Sequence, residues 1–262
     1  MNFNIQPINF NIANVRFKSN SNISQPKGSD LERNPKMDSF EMSIGYVNDA
    51  HGQTNNMMRI LSGIKGDLKL SAGDNDIGDE KNDAIHQATT KFLNIADIKA
   101  SALGNHEIDM SQKDCIDAIN RFNGLMLSIN FEQIPLEEQD PEDIQKYGRA
   151  DLKNHLTKSA VVEVKGEKIG LIGASPIDMM SRLTHPNYYT DCSVDDLDDT
   201  IELIQNEIDK FKEQNINKVI LVSHLGHKAD KFVAENIDGI DVIVGGHTHE
   251  LIKDIKEGEN LL

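Results

Sequence analysis

The feature that most constrains this fold is a series of short apolar runs that alternate with longer amphipathic stretches from Ser43 onward. Strands buried on both faces and crossover helices produce this alternation, so we predict an α/β fold with much of its sheet parallel. The predicted strands are 44–47, 68–72, 98–103, 125–129, 161–164, 169–173, 219–223 and 242–245. The predicted helices lie near 55–64, 81–95, 113–122 and 194–214.

Two Ser-x-x-acid patterns predict helix N-termini, Ser111 with Asp114 and Ser193 with Asp196. The acidic segment from Glu132 to about Asn154 contains two prolines and predicts a surface excursion with one short helix.

A length of 262 residues fits one large α/β domain. Residues 1–38 are rich in Asn, Ser and Lys and predict a poorly ordered leader, with a single domain over 39–262. No stretch has the apolar core of a signal peptide or the length of a membrane span. We therefore expect no membrane partner and, by default, a cytoplasmic location.

The charge balance argues against a nucleic-acid polymer as partner. The chain has 27 Lys and Arg against 43 Asp and Glu, a net charge of -16, and no long basic run to grip phosphates. Cys115 and Cys192 lie far apart without CxxC spacing, which predicts neither a disulfide framework nor a thiolate zinc site.

Side chains of metal-binding type follow six of the predicted strands directly. They lie within 48–52, 73–75, 104–109, 223–227 and 245–249, and at Asn130. Because the carboxyl ends of parallel strands share one edge of a sheet, and ligands bind there in open α/β folds, we predict a metal site at that edge.

The spacing within these stretches supports a metal site. Asp49 and His51 are two positions apart, as are His247 and His249, and such pairs point the same way from an extended backbone. His106 and Asp109 are three apart, so on a helical turn the carboxylate can reach the imidazole. Each short motif alone also occurs in ordinary turns, and only the ordered set is specific.

From Ser43 to the C-terminus the chain resembles the calcineurin-like metallophosphoesterase superfamily. Within that superfamily it resembles the N-terminal metallophosphatase domain of the bacterial 5'-nucleotidase and 2',3'-cyclic-nucleotide phosphodiesterase family. The resemblance rests on five ordered blocks: Asn-Asp-Ala-His-Gly, Gly-Asp, Gly-Asn-His-Glu-Ile-Asp, Ser-His-Leu-Gly and Gly-Gly-His-Thr-His. It implies a four-layer α/β/β/α sandwich of two sheets flanked by helices, with the metal site at the carboxyl ends of the strands.

The resemblance also implies two divalent metal ions and a separate catalytic acid. The first ion would be held by Asp49, His51 and His249, the second by Asn105, His224 and His247, and Asp74 would bridge both. His106 would be the catalytic acid, paired with Asp109. Nitrogen and oxygen ligands without thiolate suit Zn, Mn or Fe equally.

Such a site favours hydrolysis of phosphoesters. Two dications outweigh two aspartates and a hydroxide, so the site would carry a charge of about +1 and attract a phosphate. Cations of this kind lower the pKa of bound water, whose hydroxide can attack phosphorus in line. His106 could then protonate the departing alkoxide.

The expected substrate is a small phosphorylated molecule, a nucleoside 5'-monophosphate or a 2',3'-cyclic nucleotide. The chain ends 13 residues after His249, so we expect that the C-terminal domain with which relatives recognise the nucleoside is absent. A general phosphomonoesterase or phosphodiesterase, and a non-catalytic metal-dependent binding module of the same fold, remain alternatives. A nuclease is disfavoured by the lack of a basic surface.

Three further residues have weaker indications. His185 and Asn130 are candidate substrate contacts, and His227 is a candidate support for His224. Glu107, although it lies inside the densest block, has no predicted catalytic role.

Overall fold

The computed structural model describes residues 11–18, 39–53, 57, 63–76 and 83–250. The strands are β1 (Asn11–Lys18), β2 (Ser39–Val47), β3 (Leu68–Ser71), β4 (Ala100–Ala102), β5 (Leu125–Leu127), β6 (Phe131–Gln133), β7 (Ser159–Val164), β8 (Glu167–Ala174), β9 (Cys192–Val194), β10 (Val219–Ser223) and β11 (Val242–Gly245). The helices are α1 (Asp83–Ala96), α2 (Gln112–Arg121), α3 (Pro141–Tyr147), α4 (Met179–Arg182), α5 (Leu197–Glu213) and α6 (His227–Asn236).

Two sheets carry the architecture. The first has the strand order β1-β2-β3-β4-β5, in which β2 to β5 are parallel and β1 is antiparallel. The second has the order β11-β10-β8-β7, in which β11, β10 and β8 are parallel and β7 is antiparallel. The largely parallel α/β fold that the apolar runs predicted is therefore confirmed.

The two sheets pack face to face with helices outside. Apolar side chains of β2 to β4 meet those of β8, β10 and β11 in one buried cluster between the sheets. The outer face of the second sheet packs against α5 and α6, and the outer face of the first packs against Leu93 and Ala96 of α1. The four-layer α/β/β/α sandwich is thus confirmed.

The leader prediction was wrong for part of its length. Residues 11–18 form β1, which pairs with β2 in a register running from Asn11 opposite Tyr46 to Lys18 opposite Ser39. Ala13, Val15 and Phe17 alternate with polar residues, which is the strand period, and Val15 is buried. The rest of 1–38 lies outside the described residues.

The sequence patterns also missed β6 and β9, which pair with each other as a small antiparallel ribbon. Ser193 belongs to β9 and does not cap a helix; α5 begins after Asp196, whose side chain accepts from the backbone N–H of Asp199. Ser111 does cap α2, as predicted, by accepting from the N–H of Asp114.

The other helix predictions had different outcomes. The short helix expected between Glu132 and Asn154 is α3. The helix predicted near 55–64 falls mostly on residues outside the described part of the chain, and α6 was not predicted. None of the helices in the described ranges has the length and apolar character needed to cross a bilayer.

The two sheets contact each other directly where β5 and the residues after it meet β8. The N–H of Ile129 donates to the carbonyl of Gly173 at 2.8 Å, and a Cβ built on Gly173 would overlap Leu127, with 2.6 Å to its carbonyl carbon. Position 173 therefore requires glycine, because the backbone at Leu127 occupies the space that a side chain at this position would need.

Replacing Gly173 by Val should lower the free energy of unfolding by about 1–3 kcal/mol or more, because β5 must move away from β8. Urea unfolding measures the change. Gly63→Ala is the control, since a Cβ there meets nothing within 4 Å; because Gly63 is helical, we expect it to leave the free energy of unfolding unchanged or to raise it by up to about 1 kcal/mol. Equal stability of the two variants would contradict the close packing at this edge.

Candidate metal centre

The candidate site lies where the carboxyl ends of β2 and β3 meet those of β10 and β11. The loops after β2 and β3 run side by side and extend the strand ladder: the N–H of Asp49 donates to Gly73 O at 3.0 Å, and the N–H of His51 donates to Asp74 O at 3.0 Å. The strand ends therefore hold these two loops as a single unit.

The candidate ligands occupy unusual backbone angles. Five of them have positive φ: Asp49 (52°), His51 (44°), Asp74 (51°), His247 (80°) and His249 (55°). Positive φ is uncommon for residues other than glycine, and such strained residues cluster at functional sites. The surrounding hydrogen bonds must hold these turns in place.

Backbone groups help to join the second sheet to the loops of the first. The N–H of His247 donates to the Asp49 carboxylate at 3.0 Å, and Nδ1 of His224 lies 2.5 Å from the carbonyl oxygen of Ala72. The carbonyl of Ala72 thus fixes which nitrogen of His224 faces the site. His227 is a candidate for this support from the sequence, but Nδ1 of His224 is bound to the carbonyl oxygen of Ala72 instead.

The first group of candidate ligands is Asp49, His51 and His249. Nε2 of His51 lies 3.0 Å from Nε2 of His249, and Nε2 of His249 lies 3.3 Å from Oδ1 of Asp49. Two imidazole nitrogens and a carboxylate therefore face a common point.

The second group is Asp74, His224 and His247. Nε2 of His224 lies 3.0 Å from Oδ2 of Asp74, and both side chains are almost fully buried. Asp74 also lies 4.0 Å from Nε2 of His51, which places its carboxylate between the two groups.

Asn105 supplies a further test of fit. Its Oδ1 is buried and accepts no hydrogen bond from any residue in the part of the chain that the structure describes. A buried acceptor without a donor is costly, about 1–3 kcal/mol, unless a cation or water satisfies it. Together with the two groups, this orphaned oxygen makes a donor set that suits divalent cations.

His106 and Asp109 form a separate pair at the rim. Nδ1 of His106 lies 2.5 Å from Oδ2 of Asp109, and the other carboxylate oxygen of Asp109 accepts from the N–H of Thr184 at 3.0 Å. Asp109 is buried, whereas the imidazole of His106 is 31% exposed. The ring also stands 4.7 Å from that of His51, and His51, Asp74 and His106 form a third possible ligand group.

The electrostatics follow from burial and pairing. Burial lowers the pKa of His106, but the carboxylates of Asp109 and Asp74 outweigh this and raise it above its ordinary value. Burial likewise opposes a protonated His224, yet Asp74 and Asp49 raise its pKa to about 9. Burial and the charge of Asp74 raise the pKa of Glu107 to about 7. The centre is thus rich in negative charge and attracts cations or protons.

The sequence patterns missed one residue at this site. Asp178, just before α4, has Oδ1 at 3.2 Å from Nε2 of His247 and an ion pair with Arg182 at 2.5 Å. No strand-end motif contains it, so only the tertiary structure brings it here. With Thr184 on Asp109, it shows that the segment 178–184 borders the site.

The two candidate substrate contacts, Asn130 and His185, differ in their surroundings. Asn130 is fully buried and bonds both the N–H and the carbonyl of Ser175, so it cannot reach a substrate. The ring of His185 lies 5.5 Å from that of Tyr188, in the bordering segment, and its substrate role stays a prediction.

Two sheets thus gather imidazoles and carboxylates along one line, in an arrangement that can hold divalent metal ions. The chain belongs to the calcineurin-like phosphoesterase family, whose pattern it matches over residues 42–251. That family is metal-dependent.

Among curated proteins, the chain is similar to a 5'-nucleotidase of Diplobatis ommata, with 32% identity over 170 residues, 64% of this chain and 26% of that protein. It is 32% identical over 248 residues to an apyrase of Anopheles gambiae, 83% of this chain and 40% of that protein. Among solved structures, it resembles the 5'-nucleotidase precursor of Thermus thermophilus with a TM-score of 0.63 and 25% identity, covering 81% of this chain and 42% of that one. The chain therefore spans less than half the length of these relatives.

Divalent cations should raise the melting temperature of the protein, because a ligand that binds only the folded state stabilises it. At 100 times Kd the gain is about 2.7 kcal/mol, or roughly 5–10 °C for a domain of this size. Thermal unfolding with Mn²⁺ and after EDTA treatment measures the shift. Asp74→Ala should abolish most of it, and a wild-type Tm that does not respond would contradict a metal centre.

Proposed function

We propose that this chain hydrolyses phosphoesters at a centre of two divalent metal ions. The observation that carries the proposal is the pair of ligand groups, Asp49-His51-His249 and Asp74-His224-His247, set side by side with Asp74 between them. Membership of the calcineurin-like phosphoesterase family supports the reaction class.

Each ligand has a proposed place in this centre. One ion would take Asp49, His51 and His249; the other would take Asn105, His224 and His247; Asp74 would serve both. The unpartnered Oδ1 of Asn105 supports its inclusion, because a cation would satisfy it. When bound, two such ions supply a water molecule of lowered pKa and charge stabilisation for the phosphoryl oxygens.

His106 is proposed as the general acid. Asp109 holds Nδ1 of its ring, which leaves Nε2 as the atom that can donate a proton to a departing alkoxide. The N–H of Thr184 fixes the Asp109 carboxylate in turn, so that the imidazole has one orientation. The raised pKa of His106 favours its protonated form near neutral pH.

The proposed substrates are nucleoside 5'-monophosphates or 2',3'-cyclic nucleotides. Support comes from relatives named 5'-nucleotidase and from the 25% identity with the 5'-nucleotidase precursor structure. The net charge of -16 is compatible with a small anion that the metal centre itself attracts.

A hydrolysis panel tests this proposal. With Mn²⁺ or Zn²⁺ added, we expect turnover of 5'-AMP or 2',3'-cyclic AMP to exceed that of p-nitrophenyl phosphate and its bis ester. Activity confined to the nitrophenyl esters would instead identify a phosphoesterase of other substrates. A protein that binds metal and cleaves none of the four would be a binding module, and the proposal would fail.

Replacing His106 by Ala should lower kcat for 5'-AMP by about 10²–10⁴, with the metal content unchanged, because the leaving alkoxide loses its proton donor. The loss should be much smaller with p-nitrophenyl phosphate, whose leaving group needs no proton. His155→Ala, at a histidine that bonds Asn120, is the matched control and should retain wild-type kcat. If His106→Ala instead loses metal, His106 is a ligand, as the third ligand group allows.

A further inference from the structure

Glu107 lies inside the Gly-Asn-His-Glu-Ile-Asp block, yet neither a ligand group nor the acid pair uses it. It is 8% exposed and belongs to the short 3-10 turn His106–Ile108 that follows the loop after β4. A buried carboxylate needs several donors to offset its lost hydration. The identity of those donors reveals what Glu107 does.

The donors come from two different ligand loops. Oε2 of Glu107 accepts from the N–H of Asp74 at 3.0 Å and from the N–H of Gly104 at 2.8 Å. Oε1 accepts from the N–H of Asn75 at 2.7 Å and from its Nδ2 at 3.2 Å. One carboxylate thus joins the loop after β3, which carries Asp74, to the loop after β4, which carries Asn105.

Neighbouring residues also hold the loops after β3 and β4 against each other. Asn75 is itself held by Ser71 at the end of β3 and by Ser101 of β4. A Cβ on Gly104 would lie 2.5 Å from the backbone nitrogen of Asp74 and 2.7 Å from Oε2 of Glu107, so the two loops pack too closely for a side chain there. The spacing of the loops is therefore set by the carboxylate between them.

We propose that Glu107 is a positioning residue that sets the distance between Asp74 and Asn105, and thereby the affinity of the centre for its metal ions. The inference rests on the proposed ligand roles of those two residues. Glu107 is not a catalytic residue, because both of its oxygens are occupied by donors of the protein and it is buried behind the loops. Residues that orient metal ligands typically change metal affinity by roughly 10–100-fold when replaced.

Glu107→Gln separates this role from simple space filling. A glutamine has the same shape but only one acceptor oxygen, and its amide NH₂ would face N–H donors. With the oxygen placed as Oε1, it loses the bonds to Asp74 and Gly104; with the opposite orientation it loses both bonds from Asn75. Either orientation turns the amide NH₂ toward two buried donors, so the link between the loops is weakened in both.

Asp191→Asn is the matched control. Asp191 is also buried and also accepts several hydrogen bonds, but its partners are the side-chain amides of Gln112, Gln133 and Gln139 and the guanidinium of Arg149 at 3.6 Å, none of which belongs to a ligand loop. It makes the same carboxylate-to-amide change and should lower Tm without changing metal affinity.

The experiment titrates EDTA-treated wild type, Glu107→Gln and Asp191→Asn with Mn²⁺ by calorimetry and by the electron paramagnetic resonance of free Mn²⁺, and records Tm for each. We expect at least a tenfold rise in Kd for one or both ions in Glu107→Gln, and a change of less than twofold in Asp191→Asn. Wild-type Mn²⁺ affinity in a folded Glu107→Gln, or an equal loss in both variants, would overturn the inference.

Glu107→Asp is a second variant that keeps the inference testable if Glu107→Gln does not fold. It keeps both acceptor oxygens on a side chain one methylene shorter, so we expect an affinity between those of wild type and Glu107→Gln. If neither variant folds, Glu107 is a residue of the fold alone and the inference is wrong. Failure of the wild type to bind Mn²⁺ would instead overturn the proposed function, so the two failures are distinguishable.

Discussion

The structure depends on placing two nearly buried carboxylates, Asp49 and Asp74, at the seam between two sheets. Burying such charges is costly unless compensating partners surround them, and here histidines from both sheets do so. Among the described residues, no Lys or Arg forms an ion pair with either carboxylate. The site between the sheets therefore has excess negative charge, which divalent cations or protons bound to the histidines can neutralise.

This demand explains much of the local architecture. Parallel strands are needed because their carboxyl ends must deliver loops from β2, β3, β10 and β11 to one line. Strained turns with positive φ are tolerated because neighbouring loops bond each other's backbone, as the N–H of His51 does with Asp74 O. The two sets of loops are joined directly, since the N–H of His247 donates to the Asp49 carboxylate and Nε2 of His224 lies 3.0 Å from Oδ2 of Asp74. The positions of the candidate ligands therefore depend on the same hydrogen bonds and packing contacts that hold the two sheets together.

The sequence predicted the fold well where a local signal was strong. All eight predicted apolar runs are strands, β2 to β5, β7, β8, β10 and β11. Seven of them are parallel strands, whose burial on both faces requires a continuous apolar run; β7 is the antiparallel exception. It failed where pairing gives the strand its stability: β6 and β9 are three residues each and exist as partners. β1 was missed because Ala13, Val15 and Phe17 lie in an otherwise polar segment, and only the register with β2 distinguishes it from a leader.

The chain by itself determined the inventory of the centre: which imidazoles, carboxylates and amide follow which strands, and their order. Only the tertiary structure decided how these groups combine. It set His249 beside His51 across 198 positions, brought Asp178 to His247, gave the support of His224 to the carbonyl of Ala72, and made Glu107 the link between two loops. The reason is physical. Residue type and local spacing fix what a side chain can bind, but backbone hydrogen bonds and buried neighbours have no sequence signature, because they arise from packing one loop against another.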